Sequence, residues 1–367
     1  MMMVDAEATG RELVEQFLNA LRALPEVRAD VEPGSWITSG PDHGYDAKVD
    51  LWVAGKSLTL LVEAKKSFYP RDARQLLWRL KEFRNRWAHG SNAKEIVPLL
   101  LAVSISPGAK ELLKEERVGY FDSGGSLYVP ADGAYLYVEK PPPKSLMKSM
   151  RSLFSGRRSQ VLHALLMRRT EWFGVKELAK LAEVSSATAS QVLTDLDRSE
   201  WLESRGQGPN KERHLREPTA LLEAWTKQLA TIRAPFMRRY YVPSVRTDGL
   251  MEKLDQVCTA RGAEYAITHE AAGQRYAPFL SNIAQVRARL LAGPAAGQAI
   301  GDLDARVVNE GANLFVIDAK TSGELLFRER VDGAWLASPV QVYLDLIRSE
   351  GRAKELAEHV RRERIGF

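Results

Sequence analysis

The order of apolar and polar positions divides this chain into stretches with different periods. From Arg11 to Leu24 apolar residues return every three to four positions, which predicts an amphipathic helix. Two short apolar-rich runs follow, Lys48–Val53 and Ser57–Val62, separated by Ala54-Gly55-Lys56; that pattern predicts a hairpin. Pro70–Trp87 predicts a second helix, and Val97–Ile105 a buried strand. Two more strands are expected at Ser126–Val129 and Ala134–Val138, around Ala131-Asp132-Gly133. Pro141-Pro142-Pro143 then fits neither a helix interior nor a central strand, and closes a first domain over 1–140.

After a basic stretch (Lys144, Lys148, Arg151, Arg157, Arg158) the period becomes helical. Gln160–Met167 and Val175–Ala182 predict two helices, and Ser185 is a suitable N-cap for a third over Ser186–Asp197. In that third helix Ala189, Val192, Leu193 and Leu196 recur at core spacing. Two short helices, a tight turn and a capped second helix describe a helix-turn-helix. Trp201–Arg205, Gly206–Asn210 and Lys211–Leu215 predict the strands and loop of a wing. The outward face, Ser186, Ala187, Ser190, Gln191 and Thr194, is small and polar enough to enter a major groove of double-stranded DNA. Gln191 can pair with adenine and Ala187 can touch a thymine methyl. Arg205, Lys211 and Arg213 suit phosphates, with Arg157, Arg158, Arg168 and Arg169 as further contacts. A helical hairpin without a nucleic-acid role is the alternative. This second domain covers 141–235, with a soft boundary between Ala234 and Pro243.

The remaining region, 236–367, predicts a strand, turn and helix over Arg261–Gly273, a strand at Leu314–Ala319 and a helix at Val340–Glu350; Asn282–Leu291 fits either element. His269 and Glu270 read as a helix start, and Gly301-Asp302-Leu303-Asp304 lacks the upstream glycine-serine of a nucleotidyltransferase. Asp318 and Lys320 read as a strand end. A partner-binding or self-association role is expected here, a homodimer being one form of it. The whole chain is therefore expected to be α/β and α+β multidomain.

Composition bounds the rest. With 367 residues, more than one core is expected. Hydrophobic and charged shares of 45% and 27% are those of an ordinary soluble protein, and a net charge of +5 is compatible with a polyanionic partner. The single cysteine, Cys258, forms no internal disulfide and reads as a small buried hydrophobe. No apolar stretch approaches the ~20 residues of a membrane span, and the start lacks an apolar signal core, so a cytoplasmic protein is expected.

Asp50, Glu63 and Lys65 are the candidate chemistry. Residues 63 and 65 share a strand face, and Asp50 is expected to reach it from the neighbouring strand. Two carboxylates suit a hard divalent ion such as Mg2+, with Asp50 and Glu63 as ligands, and the lysine can hold a phosphate or polarise water. This Asp, spacer, Glu-x-Lys order resembles the PD-(D/E)XK restriction-endonuclease-like superfamily. The resemblance implies a sheet flanked by helices, with Glu15 on the leading helix as an accessory acid and Gln75 on the following one.

The strings Gly119-Tyr120-Phe121-Asp122-Ser123-Gly124-Gly125-Ser126-Leu127 and Ala337-Ser338-Pro339-Val340-Gln341-Val342-Tyr343-Leu344-Asp345-Leu346 flank the helix-turn-helix. Together they resemble the AbiEi-type antitoxin and transcriptional-regulator family of type IV toxin–antitoxin systems, in a variant with an endonuclease-like front domain. The helix-turn-helix string Val175–Leu196 resembles bacterial transcription regulators in general residue by residue, with Thr188, Ala189 and Ser190 matching the start of their recognition helix. The resemblance implies a cytosolic DNA-binding regulator of a mobile element or plasmid, with a cognate toxin protein as partner. Two classes stay open: a regulator, which is preferred, and a magnesium-dependent DNA endonuclease targeted by its winged helix.

Overall fold

The computed structural model describes residues 2–32, 45–53, 55–74, 76–78, 95–243, 246–280 and 282–367. The chain divides into two compact units, residues 1–151 with 195–200, and residues 152–194 with 201–367. Both are mixed in helix and strand. The expected boundary near residue 235 falls inside the second unit, so the helical middle region and the C-terminal sheet belong to one compact unit.

The first unit is built on a seven-stranded sheet whose strand order follows the chain. Its strands are β1 (Val27–Val31), β2 (Ala47–Val53), β3 (Lys56–Phe68), β4 (Glu95–Ile105), β5 (Gly119–Asp122), β6 (Leu127–Ala131) and β7 (Ala134–Val138). The central pairs β3–β4 and β4–β5 are parallel and the outer pairs antiparallel. On one face, α1 (Met2–Arg22) lays Leu13, Val14, Phe17, Leu18 and Leu21 against Val49, Leu51, Leu58, Leu60 and Val62. On the other, Leu100, Ala102 and Tyr120 pack with Ala73, Leu76, Ala109 and Leu113. The helix α2 (Pro107–Glu115) carries the last two; it starts at Ser106, whose hydroxyl accepts from Ala109 N–H at 3.3 Å. Parallel neighbours need such a crossover. The hairpin is longer than its sequence predicts. β3 stays paired with β4 as far as Ile105, so Glu63 and Lys65 lie inside the strand rather than closing it. The helix expected over 70–87 is helical at 70–74 and 76–78; Gln75 and residues 79–87 lie outside the described residues.

After α3 (Lys144–Leu153) come α4 (Gly156–Met167), α5 (Val175–Leu181) and α6 (Ser186–Arg198), then the ribbon β8 (Leu202–Arg205) and β9 (Glu212–Leu215), then α7 (Pro218–Ala230). A second seven-stranded sheet follows, in the order β13 (Arg306–Val307), β10 (Arg238–Tyr241), β14 (Leu314–Ala319), β12 (Val286–Leu291), β11 (Tyr265–Thr268), β16 (Ala334–Leu336), β15 (Glu329–Val331). Its helices are α8 (Thr247–Arg261), α9 (His269–Tyr276), α10 (Pro294–Asp302), α11 (Pro339–Leu346) and α12 (Ala353–Val360). In the segment left open between strand and helix at 282–291, Val286–Leu291 forms the strand β12. Cys258 is fully buried, and burial pushes its thiol up to about 12, so it packs as a hydrophobe. Asp302 pairs with Arg261, and Asp318 with Arg238; both acids are surface charges. No helix among the described residues is long and apolar enough to cross a membrane.

Candidate nucleic-acid interface and acidic cluster

The turn between α5 and α6 is closed at both ends by backbone geometry. At the end of α5, Val184 N–H donates to Ala179 O at 2.9 Å and Glu183 N–H to Lys180 O at 3.2 Å. Glu183 sits at φ 52, in the left-handed region such a helix stop requires. At the start of α6, Ser185 Oγ accepts from Thr188 N–H at 3.1 Å, the expected N-cap. Ala189, Val192, Leu193 and Leu196 are fully buried. Ser186, Ala187, Ser190, Gln191 and Thr194 are exposed, and Thr188 is half-buried. One hydroxyl of this face is engaged by its own helix: Thr194 Oγ1 donates to Ser190 O at 2.9 Å.

The ribbon pairs Leu202 with Leu215 and Arg205 with Glu212. Phe173 bridges to Arg213 outside it. At the tip Gly206 has φ +73, and a Cβ there would stand 2.4 Å from Asn210 O, so the turn demands glycine. The ribbon offers fewer available charges than its sequence implies. Arg205 donates to Glu212 at 2.7 Å and stacks 4.3 Å over the Trp172 ring, which in turn stacks on His214. Arg213 and Lys211 are half-exposed, Arg157 is exposed and Arg158 half-exposed.

The acidic cluster is not assembled as its spacing predicts. Val53 pairs with Lys56 at the turn, and counting back puts Asp50 opposite Thr59, whose hydroxyl donates to Asp50 at 3.1 Å. Glu63 instead falls opposite position 46. Asp46 N–H donates to Val62 O at 2.7 Å, and Asp46 Oδ2 accepts from Ala64 N–H at 2.7 Å. Asp50 is four residues along the strand from that point, about 13 Å at the rise of an extended chain. The convergence of Asp50 with Glu63 and Lys65 is therefore corrected: Asp46 is the acid the hairpin delivers. Glu63 and Lys65 do share a face, and pair at 2.8 Å, Glu63 buried and Lys65 exposed. Glu15 is exposed on α1, which packs on the opposite face of the sheet, so it is not brought to them. Among the described residues no three His, Cys, Asp or Glu side chains are grouped to hold a metal.

Two polar assemblies escape the sequence reading. In the first unit Lys110, on α2, pairs with fully buried Asp122 at 2.6 Å, and Asp122 Oδ1 accepts from Ser126 N–H at 3.2 Å. In the second, Asp345 on α11 is a buried hub. It accepts from Arg289 at 2.6 and 3.1 Å, from Thr268 at 2.6 Å and from Gln341 at 2.9 Å. Burial alone would raise its carboxyl; Arg289, then His269, hold it below the usual range. About two helical turns earlier, Ser338 caps α11 by accepting from Gln341 N–H at 3.1 Å, and its Oγ lies 2.5 Å from His163 Nε2 on α4. Burial, with Arg289 nearby, pulls His163 down to about 4. His269, buried at φ 58 at the start of α9, is pulled down to about 4 mainly by burial.

No family model, curated protein or solved structure matches this chain.

Proposed function

We propose that the protein is a DNA-binding transcriptional regulator of the AbiEi-like antitoxin kind, reading double-stranded DNA with a winged helix-turn-helix. The observation that carries this reading is the exposed row Ser186, Ala187, Ser190, Gln191 and Thr194 on a helix capped at Ser185 and anchored by four fully buried apolar residues. Small polar side chains let a helix approach base edges, and the ribbon after it supplies the wing. On this reading the endonuclease-like front unit is a platform, and the chain works in the cytoplasm beside a toxin partner. A mobility-shift titration against a sequence selected from a random pool tests it. Gln191→Ala should lose about 1–3 kcal/mol for the selected site and little for mixed sequence. Equal binding by the variant and the wild type at the selected site refutes the assignment.

A second reading has its own observation. Asp46 falls opposite Glu63 in the β2–β3 register, and Lys65, two residues on along β3, pairs with Glu63. Those residue types suit a metal-dependent nuclease of the PD-(D/E)XK kind, with Asp46 in the place the sequence reading gives to Asp50. Glu63 and Lys65 neutralise each other here, so a divalent ion would have to displace the ammonium. Magnesium would supply charge stabilisation to a phosphodiester. Plasmid cleavage with magnesium or manganese that disappears in Glu63→Ala would promote this reading over the first.

A further inference from the structure

We propose that the DNA-contacting surface extends from the α5–α6 turn onto the C-terminal half of the second unit, where Lys320 supplies a phosphate contact beside the start of α6. This rests on the DNA-binding reading and extends it to a segment outside the helix-turn-helix pattern. Lys320 is exposed at the end of β14. Two residues on, Ser322 Oγ donates to Glu183 Oε2 at 3.3 Å. Glu183 is the left-handed residue of the α5–α6 turn and lies two positions before the Ser185 cap. With Cα steps of 3.8 Å, the Lys320 Cα lies within about 8 Å of that of Ser322. The fold therefore brings a lysine from a distant part of the sequence to the end of the helix that enters the groove.

The segment is held in place. A Cβ on Gly323 would stand 1.7 Å from Gln160 Nε2, so the Gln160 side chain of α4 lies directly over its backbone. Leu325 is buried, and Lys320 N–H donates to Glu324 Oε1 at 2.8 Å. Lys320 thus rides on the same body as the reading face and does not have to be ordered when DNA binds. Its charge also has a local task. Glu183 and Glu324 would repel a phosphate near the turn, and the Ser322 hydroxyl leaves the Glu183 charge in place; Lys320, with exposed Lys180 near the end of α5, offsets them at the rim. A lysine ammonium suits this as a point-charge phosphate binder that fixes register without reading sequence.

The full-length protein is titrated by fluorescence anisotropy with a labelled mixed-sequence DNA duplex across about 50–200 mM salt. Lys320→Ala should weaken binding severalfold and lower the salt slope by about 1, and Lys320→Glu should do more. Lys354→Ala, an exposed lysine on α12, should change neither quantity. Wild-type affinity and slope retained in both Lys320 variants overturns the inference and leaves the DNA reading standing. An equal loss in Lys354→Ala marks a net-charge effect and overturns it too. No duplex binding by the wild type overturns both.

Discussion

Acidification should loosen the second unit by an amount that His163 largely sets. The imidazole is buried on α4, with Nε2 2.5 Å from Ser338 Oγ and the ring edge-on to Phe327. Burial, then Arg289, lowers its pKa from 6.5 to about 4. As pH falls, the unfolded chain takes up this proton near 6.5, while the folded one resists until about 4. Between those values the unfolded state binds more protons, so stability is full above 6.5, falls as pH drops, and levels off below 4. The linkage relation gives a loss of about 1.4 kcal/mol at pH 5.5 and about 2.6 kcal/mol at pH 4.5. His163→Gln keeps a side-chain amide for Ser338 and cannot titrate. Urea unfolding of both proteins at about pH 7.5, 5.5 and 4.5 isolates the difference, since His269 and all other groups titrate in both. The variant should be weaker at neutral pH, and the gap should close by about 2–3 kcal/mol on acidification. Parallel pH profiles would refute the picture of a neutral, buried His163.

Other perturbations have equally definite outcomes. Arg289→Leu strands Asp345 in the interior and should cost about 3–5 kcal/mol, whereas Arg289→Leu with Asp345→Leu should recover most of that in the same unfolding assay. Gly206→Ala forces a left-handed alanine against Asn210 O and should speed amide exchange across β8 and β9; an unchanged exchange pattern would mean the tip relaxes freely. In metal calorimetry with manganese, Asp46→Ala should weaken binding and Asp50→Ala should not; the reverse result would defeat the register argument. Truncation after residue 243 removes Ser338 and uncovers His163 and Gln160, so α4 should misfold in the shortened chain, seen as lost helical signal by circular dichroism.

What the sequence made legible was local. Helix faces declared themselves by spacing, so Ala189, Val192, Leu193 and Leu196 are buried as predicted and Ser185 caps as predicted. The β2–β3 hairpin was legible too, and its register, counted from the Val53–Lys56 pair, leads to Asp46 rather than Asp50. Arg205 shows another limit. Its charge is visible in the sequence, while its engagement by Trp172 and Glu212 depends on a ribbon folding back. The two family-like strings have a plainer explanation in the fold. Asp122 and Ser126 hold a turn and a buried lysine, and Ser338 and Asp345 tie α11 to α4, β11 and β12. Polar residues fixed by buried partners 50 or more positions away, as Arg289 is from Asp345 at a separation of 56, leave no periodic trace.

The two sheets differ in when they can be finished during synthesis. Every neighbour in the first sheet is the next strand along the chain, so pairing can advance strand by strand as the polypeptide leaves the ribosome. The second cannot be built that way: β11 waits for β16, and β10 for β14. The helices before it wait as well, because the His163–Ser338 contact spans 175 residues. Nascent chains would pass through a stage with a completed front unit and an open, unsealed helical region. A ribosome stalled in that interval would release a product whose α4 still exposes the surface meant for α11.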